Sequence, residues 1–213
     1  MEAIMEPIIL SNTVINHKIS ILRNKATRPG LFRCIVKEIG MIETYEALKA
    51  FQGKQIQVET PLETCTGLTL EDEEICFVSI LRAGLAMGDG AREMLPCASE
   101  GFIAMARDEV TFLPHLSYAK LPTHLENKKV ILLDPMLATG GSSGDAVKLL
   151  KEKGANVIAF CCIIAAPEGV KRFTQENPEV ALYIGALDRC LNEKAYILPG
   201  LGDAGDRIYG TLD

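Results

Sequence analysis

Ten consecutive apolar residues at 157–166, Val-Ile-Ala-Phe-Cys-Cys-Ile-Ile-Ala-Ala, constrain this chain more than any other feature. A stretch with no polar alternation needs cover on both faces, as in a strand of a parallel sheet packed under helices. It is also too short for a membrane span, which needs ~18 or more apolar residues. Related short runs occur at 75–81, 101–106, 130–133 and 180–184, and 55–59 alternates. Helical patterns at 85–95, 143–153 and 168–175 fall between them. Upstream, apolar positions 32, 35, 36, 39, 42, 45, 48 and 51 mark one face of a long helix, after a break at Arg28-Pro29-Gly30. The expected fold is α/β: a doubly wound, mostly parallel sheet flanked by helices, with an N-terminal helical segment and a C-terminal loop-rich lobe. Residues 1–213 are expected to form one domain, with 186–213 as that lobe.

The segment 107–122 breaks the alternation. Pro114 and Pro122 block helix, so an extended arm or open hairpin is expected, serving either as a connector or as a lid.

Charge narrows the partners. Lys and Arg number 22 against 28 Asp and Glu, a net −6, which argues against wrapping nucleic acid. The N-terminal Met-Glu-Ala-Ile-Met-Glu-Pro has acids where a secretory signal has bases. The seven cysteines include no CxxC pair, which suits free thiols in a reducing cytoplasm. Residues 58–126 hold 4 bases and 12 acids, and their few cations stand out.

Three local patterns carry chemistry. In Val130-Ile-Leu-Leu-Asp134-Pro135-Met136-Leu137-Ala138-Thr139-Gly140-Gly141-Ser142, a buried strand ends in a carboxylate and a glycine loop opens a helix. Backbone amides, hydroxyls and a helix N-terminus together suit a phosphate monoester. The plainer reading is a strand–turn–helix with Ser142 as N-cap. Near the C-terminus, Pro199-Gly200-Leu201-Gly202-Asp203-Ala204-Gly205-Asp206-Arg207 satisfies G-x-G-x-x-G in form only. Eight residues follow Gly205, leaving no room for a dinucleotide-binding helix and its distant acid. Such a loop either reads a small planar amide through main-chain groups or is a structural turn. Finally, Arg82 follows the strand at 75–81 and Arg107 ends another, so both could face one anion, although a lone arginine there is commonly a surface ion pair. No HExxH or other metal-ligand cluster occurs, histidines 17, 115 and 124 are scattered, and no nucleophile pattern is present. His115 is expected to be solvated.

Together, Ile80-Leu-Arg82-Ala-Gly84, Asp134-Pro-Met-Leu-Ala-Thr-Gly140 and the C-terminal glycine motif resemble the uracil phosphoribosyltransferase family. The resemblance runs from about His17 to Thr211 and includes His17-Lys18, Val58-Glu-Thr-Pro61, Ala165-Ala-Pro-Glu-Gly169 and Leu191-Asn-Glu193. It implies uracil plus 5-phospho-α-D-ribose 1-diphosphate giving UMP and pyrophosphate, with substrate-chelated Mg²⁺. By position, Asp134 to Ser142 would hold the ribose and its 5-phosphate, and Arg82 and Arg107 the pyrophosphate. The backbone of Ile197 and of Gly202, Asp203 and Ala204 would read uracil, with Asp203 also near the donor. Asp134, Arg107 and Asp203 are the expected catalytic residues. The arm 108–122 would be a hood, and a homodimer or higher homo-oligomer is expected. GTP activation, a property of some relatives, stays open.

Departures from the family pattern are Ser79 for a usual proline, Ser117 for a tyrosine, Ala195 for a glycine, and Arg189-Cys190 for a more acidic, glycine-bearing pair. Ala195 and Ser79 motivate a second reading, transfer to another nucleobase. A third, a non-catalytic nucleotide sensor or RNA binder, has the acidic charge against it.

Overall fold

A computed structural model describes residues 5–107 and 114–211. In chain order the elements are β1 (Ile8–Ile9), α1 (Thr13–Arg23), α2 (Pro29–Leu48), β2 (Lys54–Glu59), β3 (Thr64–Thr69), β4 (Ile75–Leu81) and α3 (Gly84–Met94). Then come β5 (Ser99–Arg107), β6 (Pro114–Lys120), β7 (Lys129–Leu133), β8 (Met136–Leu137), α4 (Gly141–Glu152) and β9 (Asn156–Ala165). The chain closes with α5 (Pro167–Glu176), β10 (Ala181–Leu187), β11 (Cys190–Leu191), β12 (Ile197–Leu198) and α6 (Ala204–Tyr209).

The central sheet runs β1-β10-β9-β7-β4-β5-β6, with β8 added beside β9. All pairings are parallel except β5 with β6. Alternate strand residues enter two separate cores. Ile75, Phe77, Ile131, Leu133 and Cys161 pack with α1, α2 and α3. Val78, Ile80, Leu132, Phe160 and Cys162 pack with α4 and α5. Cover on both sides is why the strands read as unbroken apolar runs.

From β4 the chain steps to β5 on one side, and later to β7, β9 and β10 on the other. This reversal opens a crevice at the carboxyl ends of β4 and β7, the usual place for a ligand in such a sheet.

Several expectations need correction. The run 55–59 lies outside the parallel sheet, in an exposed antiparallel hairpin with β3. Arg28-Pro29-Gly30 is the start of α2 rather than a break before it, because proline at the first helical positions loses no hydrogen bond. Ser142 is not the N-cap of α4; Gly140 is, at φ 78°, a left-handed conformation that glycine adopts without strain. The C-terminal motif does enter a helix, the six-residue α6, with Asp203 as its N-cap. Among the cysteines, 76, 161 and 162 are buried, whereas 34, 65 and 97 are exposed; all seven are free.

In the arm, β6 is extended and antiparallel to β5. Residues 108–113 and the side chains of Arg107 and His115 lie outside the description.

Candidate active site

Asp134 follows β7 directly, at the mouth of the crevice. Its amide donates to the Cys161 carbonyl at 3.3 Å, and the Pro135 carbonyl accepts from Ile163 and Ile164, both at 3.1 Å. The loop is therefore stitched to β9 before it turns into α4. The residue keeps part of its surface open to the crevice, yet its carboxyl is densely surrounded. Burial pushes that carboxyl up to about 7, and the Met136 amide, 3.4 Å from Oδ1, offsets only part of the effect. That amide is the only hydrogen-bond donor to the carboxyl among the described residues.

The loop then closes on itself. Thr139 Oγ1 accepts from the Gly141 amide at 3.4 Å, and the Gly140 carbonyl accepts from Ser143 Oγ at 3.3 Å and the Gly144 amide at 3.0 Å. The start of α5 presses against it from outside. A Cβ on Gly169 would stand 2.3 Å from the Ala138 carbonyl oxygen, so only glycine permits this approach. Amides at the N-terminus of α4 thus remain at the crevice end of the sheet.

Arg82 follows β4 and is exposed. It is also an ion pair, as the plainer reading had it. Nη2 lies 2.8 Å from Asp206 Oδ1, Nη1 donates to Thr211 Oγ1 at 3.2 Å, and Tyr209 OH donates to the Arg82 carbonyl at 3.1 Å. The bond from Thr211, followed by that from Arg82, holds the Asp206 carboxyl below its ordinary value. The backbone of Arg107 ends β5, three residues beyond Ala104, the partner of Leu81 at the carboxyl end of β4.

The C-terminal motif reaches the same crevice from the side. A cavity of about 190 Å³ lies between the two loops. Met136 and Ala138 of the phosphate-loop pattern line one side, and Ile197, Gly202 and Asp203 line the other. Ala204, also expected here, is buried and starts α6 outside the lining. Lys194, Ala195, Tyr196 and Leu201 complete the wall. Lys194, Tyr196 and Leu201 were not singled out from the sequence, because nothing in their local pattern separates them from an ordinary turn.

Residues 9–211 match the sequence profile described as uracil phosphoribosyltransferase. The chain belongs to this family. It is 48% identical over 204 residues to the uracil phosphoribosyltransferase of Agathobacter rectalis, covering 96% of this chain and 98% of that one. Against the Ligilactobacillus salivarius enzyme of the same name, identity is 47% over 203 residues, covering 95% and 97%. The solved structure of the AQ2163 protein from Aquifex aeolicus superposes with a TM-score of 0.91 at 40% identity, covering 96% of this chain and 98% of its own.

Membership in the uracil phosphoribosyltransferase family makes the departures informative. Ala195 sits at φ 60°, a left-handed conformation in which alanine is strained and glycine is not. The turn is nonetheless held: its amide donates to the Asn192 carbonyl at 2.9 Å, and Asn192 Oδ1 accepts from Lys194 and Tyr196. Ser79 is buried, and its hydroxyl is where a Cβ on Gly88 of α3 would fall, so it faces that helix and does not line the cavity. Ser117 and Arg189 are exposed and Cys190 is half-buried.

Proposed function

We propose that this protein transfers the phosphoribosyl group of 5-phospho-α-D-ribose 1-diphosphate to uracil, forming UMP and pyrophosphate. The observation that carries this reading is the shared cavity, which puts a phosphate-type loop and a glycine turn on one small volume. A cavity of ~150 Å³ accepts a benzene ring, so about 190 Å³ suits a single six-membered ring.

In this reading Asp134 to Ser142 take the ribose and its 5-phosphate, with the α4 N-terminus supplying partial positive charge. Arg82 and Arg107 take the pyrophosphate, Arg82 exchanging or sharing its bond to Asp206. Negative charge grows on pyrophosphate as its bond to the anomeric carbon breaks, so fixed guanidiniums stabilise the transition state more than the ground state. Mg²⁺ chelated by the donor would neutralise part of that charge. The open acceptor capacity of Asp134 suits a ribose hydroxyl or this hard cation. Asp203 lies between donor and base. No protein nucleophile is required; positioning and water exclusion supply the remainder.

Uracil presents acceptor, donor and acceptor in a row. Main-chain groups of Ile197, Gly202 and Asp203, which line the cavity, can answer it, and cytosine would mismatch at two points. The seven free thiols agree with a reducing cytoplasm. A homo-oligomer is part of this proposal: β2 and β3 expose Ile56, Val58 and Cys65 on one face of their hairpin, apolar surface that a second copy would cover.

Pyrophosphate release is the test, with uracil, cytosine and purines offered in turn alongside the donor and Mg²⁺. Turnover with uracil is expected to exceed that with every other base. No turnover with uracil, or preference for a purine, overturns the assignment.

A further inference from the structure

The turn that would read the base is held partly by charged side chains. It includes Gly200 at φ 67° and Gly202 at φ 75°, after a cis Leu198–Pro199 bond. Asp188 and Arg23, from distant elements, and Arg207 of α6 all bond its main chain.

Asp188, buried just beyond β10, accepts from the Gly200 amide at 2.9 Å. The same carboxylate is bridged by both terminal nitrogens of Arg23, from the last turn of α1. Arg23 Nη1 also donates to the Gly200 carbonyl at 3.1 Å. Gly200 is thus held at both its N–H and its C=O. Arg207, on α6, grips the next residue, donating to the Leu201 carbonyl at 2.7 Å. It also donates to the Leu22 carbonyl, and to the Asn24 carbonyl at 2.7 Å, while its guanidinium stacks 4.3 Å from the Phe32 ring centroid. Leu22 and Asn24 lie at the end of α1, where helix carbonyls lack intrahelical partners and cations are favoured.

Two arginines therefore tie consecutive turn residues to one fixed helix end. Planar guanidiniums donate in several fixed directions, which a lysine ammonium on a flexible stem does not. Burial lowers the pKa of Arg207, so this placement is held against a desolvation cost. A row of main-chain donors and acceptors discriminates between bases only if held within ~0.5 Å of its working geometry.

We propose that Arg207, with the Arg23–Asp188 pair, is a positioning residue for base selection: it fixes residues 200–203 so that their main-chain groups match uracil. This rests on the function proposed above. Arg207→Lys keeps the charge but loses the planar fork. Expected in this variant are a rise of about tenfold in KM for uracil and a fall of about tenfold in the uracil-to-cytosine ratio of kcat/KM, with KM for the phosphoribosyl donor within about twofold of wild type. Asp188→Asn, which weakens the grip from the other side, should shift the same quantities in the same direction. Equal rises in both KM values, or an unchanged base ratio, overturn the proposal.

Absence of uracil turnover in the wild-type protein would instead sink the function itself. Hydrogen exchange then still examines the clamp. Amides of residues 197–206 should exchange about tenfold faster in Arg207→Lys, with β9 unchanged. Unaltered exchange there rejects the clamp whatever the enzyme's substrate.

Discussion

Asp134 and Glu43 are both carboxyls in surroundings that disfavour charge, with different consequences. The Asp134 carboxyl, raised to about 7 by burial, gains its charge as pH rises through that value. The donor's own phosphates also titrate at about pH 6, so the difference is the readout: donor binding that uses the carboxylate should tighten more between roughly pH 6 and 8 in the wild type than in Asp134→Asn. At the upper end the variant's donor KM should be higher by about tenfold or more, read from initial rates against donor concentration. Glu43, on α2, is fully buried, and neither oxygen has a hydrogen-bond partner among the described residues. Burial raises its pKa well above the ordinary range, and the nearby Gly185 backbone offsets little of this. The folded state keeps the proton that the unfolded chain loses above about pH 4.3, so this group subtracts stability as pH rises from there towards its folded pKa. Glu43→Gln removes that dependence: urea unfolding should show the variant gaining on wild type between pH 5 and 8. Neither environment can be read from sequence, since Asp134 is recognisable as a strand-end carboxylate but the burial that raises its carboxyl is a property of the folded chain.

At the scale of elements, the crevice depends on how tightly α5 backs the phosphate loop. Gly169→Ala would put a Cβ 2.3 Å from the Ala138 carbonyl oxygen, and both partners there are backbone. Overpacking of this kind typically costs about 1–3 kcal/mol. Chemical denaturation should show that loss, and donor KM should rise because Ala138 and Thr139 must shift; unchanged values for both would mean that α5 moves freely. The strands and helices that frame this site were legible, because burial on both faces leaves continuous apolar runs and helices leave a 3.6-residue period. The strand at 75–81 was bounded correctly, and helices α3, α4 and α5 within a residue or two. Helix α1 and strand β3 were not delineated. In α1 the three buried residues Ile15, Ile19 and Leu22 are a sparse signal, and β3 is largely solvent-exposed with little apolar pattern.

For the whole molecule, the β2–β3 hairpin is an exposed feature that a single chain leaves without cover. A two-stranded hairpin is marginal alone in water. Sedimentation velocity should find a dimer or larger oligomer, and Val58→Lys, which puts a charge on the apolar face, should weaken its self-association by about tenfold or more. A wild-type monomer at working concentration would refute the oligomer. By itself, the amino-acid sequence determined the layered α/β architecture, the phosphate-type loop, the order of the motifs and the family they resemble. Those properties are written in local periodicity and in contiguous residues. Only the tertiary structure decided that Met136 and Ile197 face one cavity, that Ser79 turns towards α3, and that Arg82 meets Asp206. It also decided that Arg23 and Arg207 grip a turn whose partners lie elsewhere in the chain. The Arg82–Asp206 and Arg23–Gly200 pairings join residues more than a hundred positions apart, and no local pattern encodes them. They form only when the sheet reverses its winding between β4 and β7 and brings the two loops to the same edge.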